Sequence, residues 1–70
     1  MIVQFKLEGN DFIELNSLLK VTGLCESGGR ANKLIVAGEV SVDGAIENRK
    51  RCKIRSGQKV ELENQVILIE

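Results

Sequence analysis

The residues with the most evident chemistry run from position 49 to 55: Arg49-Lys50-Arg51-Cys52-Lys53-Ile54-Arg55. In an extended chain Arg51, Lys53 and Arg55 project to one side, with Arg49 in phase, while Cys52 and Ile54 project to the other. The segment therefore builds a cationic face and still anchors itself in a core. Like charges this close repel one another unless an anion joins them, which suits the face to phosphate. A charged strand can equally guard a sheet edge against aggregation, and the run alone does not decide between the two.

Ser27, Gly28, Gly29, Arg30 and Lys33 form a second cluster. Ser27 is a good N-cap, and the two glycines leave backbone N–H groups bare at the positive end of a helix dipole. Arg30 and Lys33, three residues apart, are neighbours on a helix surface. Glycine pairs also serve as flexible caps with no ligand. Taken with the basic run, the cluster points to phosphate binding.

A net charge of zero and a pI near 6.3 argue at first against a polyanionic partner. The distribution argues for one. Met1–Leu19 sets Lys6 against Glu8, Asp11 and Glu14, and Val60–Glu70 carries only Glu61, Glu63 and Glu70. Between them, nine basic residues face Glu26, Glu39, Asp43 and Glu47. Segregation of this kind creates a local field in a neutral protein.

Other chemistries find little support. There is no histidine, and Cys25 and Cys52 form no CxxC pair, so no metal site or cofactor is expected. The cysteines read as free thiols in a reducing cytoplasm. Cys25 stands near a helix N-terminus, where a thiol pKa can fall, but no partnering base accompanies it and it reads as a small buried or linker residue. With no framed carboxylate pair and no room for a substantial cleft, neither catalytic residues nor a small-molecule substrate are expected. Phe5 and Phe12 are the only aromatic residues, which excludes an aromatic platform for single-stranded bases. Ile2–Glu8 alternates apolar and polar residues and is neither a signal peptide nor a membrane span.

Seventy residues support one hydrophobic core, hence one domain over residues 1–70. Val3, Phe5 and Leu7 fall on one face of a strand over Ile2–Glu8. Asp11 and Glu14 have capping-box spacing for a first helix with Phe12, Leu15, Leu18, Leu19 and Thr22 on its core stripe and Gly23 after its end. Ala31, Leu34, Ile35 and Gly38 mark the inner face of a second helix, which begins after Ser27. Val40–Val42, Asp43-Gly44 and Ala45–Glu47 suggest a tight type I′ hairpin, although a two-residue loop sets Ile46 opposite Ser41. Strands are expected over Arg51–Arg55, Lys59–Glu63 and Gln65–Ile69, the last beside the N-terminal strand. The architecture is α+β: two packed helices against a small, mostly antiparallel sheet of four to five short strands.

The stretch from Ser27 to Gly57, SGGRANKLIVAGEVSVDGAIENRKRCKIRSG, resembles the RNA-binding domain of the ribosomal S-four protein family, also called the alpha-L motif. The resemblance rests on Ser27, Ala31, Leu34-Ile35, Gly38, Val40-x-Val42, Asp43-Gly44 and Gly57, and with the first helix it covers residues 11–59. Within the family it is most similar to the free-standing bacterial YbcJ-like proteins. The resemblance implies an L-shaped surface for structured RNA, ribosomal RNA or tRNA, with the ribosome or its associated proteins as further partners. Ser27, Gly28, Gly29, Arg30 and Lys33 fall on the helical part of that surface, and Arg49, Lys50, Arg51 and Lys53 on the basic segment. The family's usual acidic residue after the late glycine is replaced here by Gln58.

Two other classes remain open. A protein-interaction adaptor would suit the acidic ends and Val36, which lies outside the inner stripe. A DNA-reading helix-turn-helix would need base-reading side chains where Gly28 and Gly29 stand.

Overall fold

A computed structural model describes residues 2–70 and gives seven strands and two helices. In chain order these are β1 (Ile2–Phe5), β2 (Ile13–Glu14), α1 (Leu15–Val21), α2 (Gly28–Val36), β3 (Val40–Val42), β4 (Ala45–Ile46), β5 (Lys53–Ile54), β6 (Lys59–Leu62) and β7 (Gln65–Ile69). The main sheet has the order β1-β7-β6-β3-β4, and β2 pairs separately with β5. All pairings are antiparallel except β1 with β7, in which Ile2 faces Val66 and Phe5 faces Ile69. The apolar run of β7 reflects its place between two other strands, and it lies beside the N-terminal strand as expected.

Leu15, Leu18 and Leu19 of α1, Ala31 and Ile35 of α2, Ile54 of β5, and Val40, Val60 and Ile67 of the main sheet are buried in one aliphatic cluster. At roughly 25 cal/mol per Å² of apolar surface removed from water, this burial is the chief favourable contribution to folding. The helix ends follow their local chemistry. Ser27 Oγ accepts the N–H of Arg30 at 3.2 Å and caps α2, while Gly38, at φ +80°, takes the left-handed turn beyond its end. Asp43 (φ 51°) and Gly44 (φ 86°) form the hairpin turn, and the loop is indeed two residues long, with Ser41 paired to Ile46. Ile46 is consequently 63% exposed.

Two expectations are corrected. No capping box forms at Asp11: Ile13 and Glu14 are extended and pair with Ile54 and Lys53, so α1 begins only at Leu15 and Phe12 lies outside it. The strand expected over Arg51–Arg55 shortens to Lys53–Ile54 and stands outside the main sheet. Both differences have one cause, a pairing between segments distant in sequence that overrides the local helix signal.

Candidate nucleic-acid interface

The basic segment is held by the start of α1. A helix leaves its first N–H groups without partners of its own, and Glu14 supplies no side-chain cap. Instead the N–H of Leu15 donates to the carbonyl of Cys52 at 2.9 Å, and that of Asn16 to the carbonyl of Lys50 at 3.0 Å. The N–H of Ser17 donates to Asn16 Oδ1 at 2.8 Å. Backbone carbonyls of the cationic stretch thus complete the helix end, and the stretch is fixed with few strand bonds of its own. Asn16 Nδ2 in turn donates to Asn32 Oδ1 on α2 at 3.1 Å. One residue therefore ties the basic segment to both helices.

This geometry brings Lys50 beside α2. Gly29, Asn32, Lys33, Val36 and Ala37 form one wall of an open groove and Lys50 the other. Arg49, Arg51, Cys52 and Lys53 line an adjoining cleft. Lys53 Nζ and Arg55 Cζ sit 5.0 and 5.6 Å from the centre of the Phe12 ring, whose negative face attracts cations. Phe12, expected on the core stripe, is instead 36% exposed and carries two of the basic side chains. Arg51, Lys53 and Arg55 are exposed and Ile54 is buried, which matches the parity of the sequence, while Cys52 is half-buried.

The cations differ in how free they are. Arg49 forms a two-pronged bond to Glu47, with Nε to Oε2 at 2.9 Å and Nη2 to Oε1 at 3.2 Å. That guanidinium, with the Arg49 backbone N–H, holds the Glu47 carboxyl down to about 2. Arg51 reaches Glu14 at 3.4 Å. Arg30 is exposed on α2 but does not line the groove that contains Lys33. Ser27 is engaged as the cap. Gly28 and Gly29 are demanded neither by backbone angle nor by space, since an added Cβ at Gly28 meets nothing within 4 Å and one at Gly29 meets only Ser27 Oγ at 3.9 Å.

Neither thiol is activated. Burial raises the pKa of Cys25, outweighing the lowering effect of Arg30, so the proximity to a helix start does not produce a reactive thiolate. Burial and the neighbouring Glu47 carboxylate raise that of Cys52. No helix among the described residues is long and apolar enough to cross a membrane.

Sequence reasoning missed Asn16, Asn32 and the pairing of Arg49. The last had a signal, because Glu47 and Arg49 share strand parity. The asparagines had none, since their contact depends on how the helices pack.

Comparison with known proteins places these features in context. The profile of the S4 domain family matches residues 5–70. An Escherichia coli (strain K12) protein named "Putative RNA-binding protein YbcJ" is 52% identical over 56 residues, which are 80% of each chain. The Shigella flexneri protein "Uncharacterized protein YbcJ" matches to the same extent. The solution structure of YbcJ from E. coli superposes with a TM-score of 0.75 and 43% identity, covering 96% of this chain and 85% of that one. That structure is described as revealing an alpha-L motif involved in RNA-binding.

Proposed function

The chain belongs to the S4 domain family, and on that premise we propose that residues 1–70 act as one non-catalytic domain that binds structured RNA, ribosomal RNA or tRNA, in the cytoplasm. The binding surface is the face where α2 meets the basic segment. Lys33, Lys50, Lys53 and Arg55 supply the readily available charge, with Arg30 at its margin. Arg49 and Arg51 join once phosphate competes with Glu47 and Glu14. Gly28 and Gly29 contribute bare backbone at the capped start of α2, following Ser27.

The observation that carries this reading is the double attachment of Asn16, through its backbone to Lys50 and through its side chain to Asn32. It brings cations from two separate stretches of a neutral chain onto one groove. Ribosome-associated proteins are further partners on this reading. An adaptor role for proteins finds support in Ile46, which leaves an aliphatic side chain in solvent at the hairpin.

The test is a titration against ribosomal RNA fragments, tRNA and duplex DNA at two salt concentrations. Neutralising Z phosphates gives a log–log salt slope of about −0.7Z to −0.9Z, so roughly five cations should weaken binding by about two orders of magnitude for a fourfold rise in salt. A flat salt response, or equal affinity for duplex DNA, would refute the reading. Charge reversal at Arg49 or Arg51 would set a new carboxylate against Glu47 or Glu14. The combined variant Lys50→Gln, Lys53→Gln and Arg55→Gln is therefore the cleaner probe, expected to stay folded and lose RNA affinity.

A further inference from the structure

We propose that the groove between α2 and Lys50 lodges one unpaired nucleobase of the bound RNA, with the Asn32 amide donating to a carbonyl oxygen on the base edge. The proposal rests on the RNA-binding reading and adds the feature of the RNA that the site selects.

The groove encloses about 430 Å³, and Gly29, Val36 and Ala37 make much of its lining apolar. Val36 is 59% exposed there. A phosphate gains nothing from such a lining, because laying a charge over aliphatic carbon strips its hydration without compensation. A base has apolar faces and a polar edge, so it suits both parts of the groove. Lys33 and Lys50 stand on opposite walls, placed to meet the phosphates on either side of an inserted nucleotide. Two cations flanking an apolar slot favour a polyanion over the apolar side chain of a protein.

The polarity of the polar group is set by a relay that starts at the backbone. The Ser17 N–H can only donate, so the Asn16 atom that accepts it at 2.8 Å is the amide oxygen. Asn16 must then present its NH2 group to Asn32, whose oxygen accepts it at 3.1 Å. The NH2 group of Asn32 remains, and it makes no hydrogen bond among the described residues. An amide held in this sense offers a donor to the ligand. Uracil, guanine and cytosine present carbonyl oxygens that accept from it; adenine can accept only at a ring nitrogen, and with Asn32 Oδ1 engaged by Asn16 the two-point amide contact to its N6 and N7 is not available. A base paired within an A-form stem keeps its edge engaged and its faces stacked, so only a bulged or looped base can enter.

The test uses the full chain and three RNA hairpins: a fully paired stem, the same stem with one unpaired uridine, and the same stem with one unpaired adenosine. Wild-type protein should bind the uridine bulge roughly tenfold more tightly than the paired stem, the scale of one base contact, with the adenosine bulge between them. Val36→Ser should keep the paired-stem affinity and lose most of the uridine preference, whereas Asn32→Ala, which also removes the tie to Asn16, should lose more affinity for the uridine bulge than for the paired stem. Asn16→Ala, which lets the Asn32 amide turn over, should narrow the gap between uridine and adenosine. Circular dichroism melts establish that each variant is folded. Equal affinity of wild type for all three hairpins overturns the groove assignment while leaving RNA binding intact. An undiminished uridine preference in Asn32→Ala and Val36→Ser also overturns it and leaves the groove to a protein side chain. Failure of wild type to bind any hairpin removes the RNA-binding reading itself.

Discussion

Gln58 Nε2 donates to Asp43 Oδ2 at 3.0 Å, so that one carboxamide joins the tip of the β3–β4 hairpin to the turn before β6. Its oxygen accepts the backbone N–H of Arg55 at 2.7 Å, and Asp43 Oδ1 accepts that of Lys59 at 2.9 Å. An acidic residue at position 58 could accept from Arg55 but would face Asp43 as a second negative charge.

Gln58→Glu should therefore lower the thermal midpoint at pH 7, with the deficit shrinking as the pH falls below about 4 and carboxylates protonate. The Gln58 and Lys59 donors hold the Asp43 pKa below its ordinary value. The native bond thus stabilises above the unfolded carboxylate pKa and is lost as acid is added. Melting curves at pH 3.5 and 7 check this; equal midpoints at pH 7 would show that the bond contributes nothing.

Glu47 predicts an acid limb. Its pKa is held at about 2 in the fold, first by the Arg49 side chain. The contribution is complete above the unfolded value of about 4.3 and disappears as the pH falls towards 2. Arg49 is 76% exposed, so solvent screening keeps the effect small. Urea midpoints at pH 2.5 and 6 should draw closer together in Glu47→Gln than in wild type.

The same substitution releases Arg49 for phosphate. Glu47→Gln should tighten RNA binding and steepen the log–log salt slope by up to about one. An unchanged slope would mean that Arg49 takes no part.

Phe12→Leu keeps an apolar side chain but removes the ring face under Lys53 and Arg55. A loss of about 1 kcal/mol is expected at such a partly exposed site, read from the urea midpoint. The effect on RNA binding should be modest, since the cations themselves remain.

Ile35 and Val36 are adjacent but face opposite ways. Ile35→Ala should cost about 2–5 kcal/mol, a large part of the roughly 4–10 kcal/mol available to a chain of this size. Val36→Ala should fall within about 0.5 kcal/mol of wild type. Similar losses in both would place the inner face of α2 elsewhere.

The elements that sequence anticipated are those decided by local chemistry. Ser27 caps α2 because a serine oxygen reaches the N–H three residues on, and Asp43-Gly44 turns because both residues tolerate positive φ. Alternation alone placed Ile54 inward and Arg51, Lys53 and Arg55 outward. The start of α1 departs from its local pattern because its cap comes from Lys50 and Cys52, more than thirty positions away. No local motif reports such a partner. Phe12 leaves the core for the same reason, its place on a helical stripe being cancelled by the pairing of Ile13 and Glu14 with β5. The site was legible in its charges and illegible in its connections: the basic residues were visible in the chain, but Asn16 acquires its role only when the helices pack.

The position of β1 has a temporal consequence. Among the described residues its one strand partner is β7, and the carbonyls of Phe5 and Glu70 accept N–H groups from Glu70 and Leu7 respectively. A polypeptide emerging from the ribosome makes β1 well before β7, with every other element of the fold between them. β1 therefore waits unpaired while both helices and the intervening strands are made, and its docking on β7 closes a loop of long sequence separation and correspondingly slow formation.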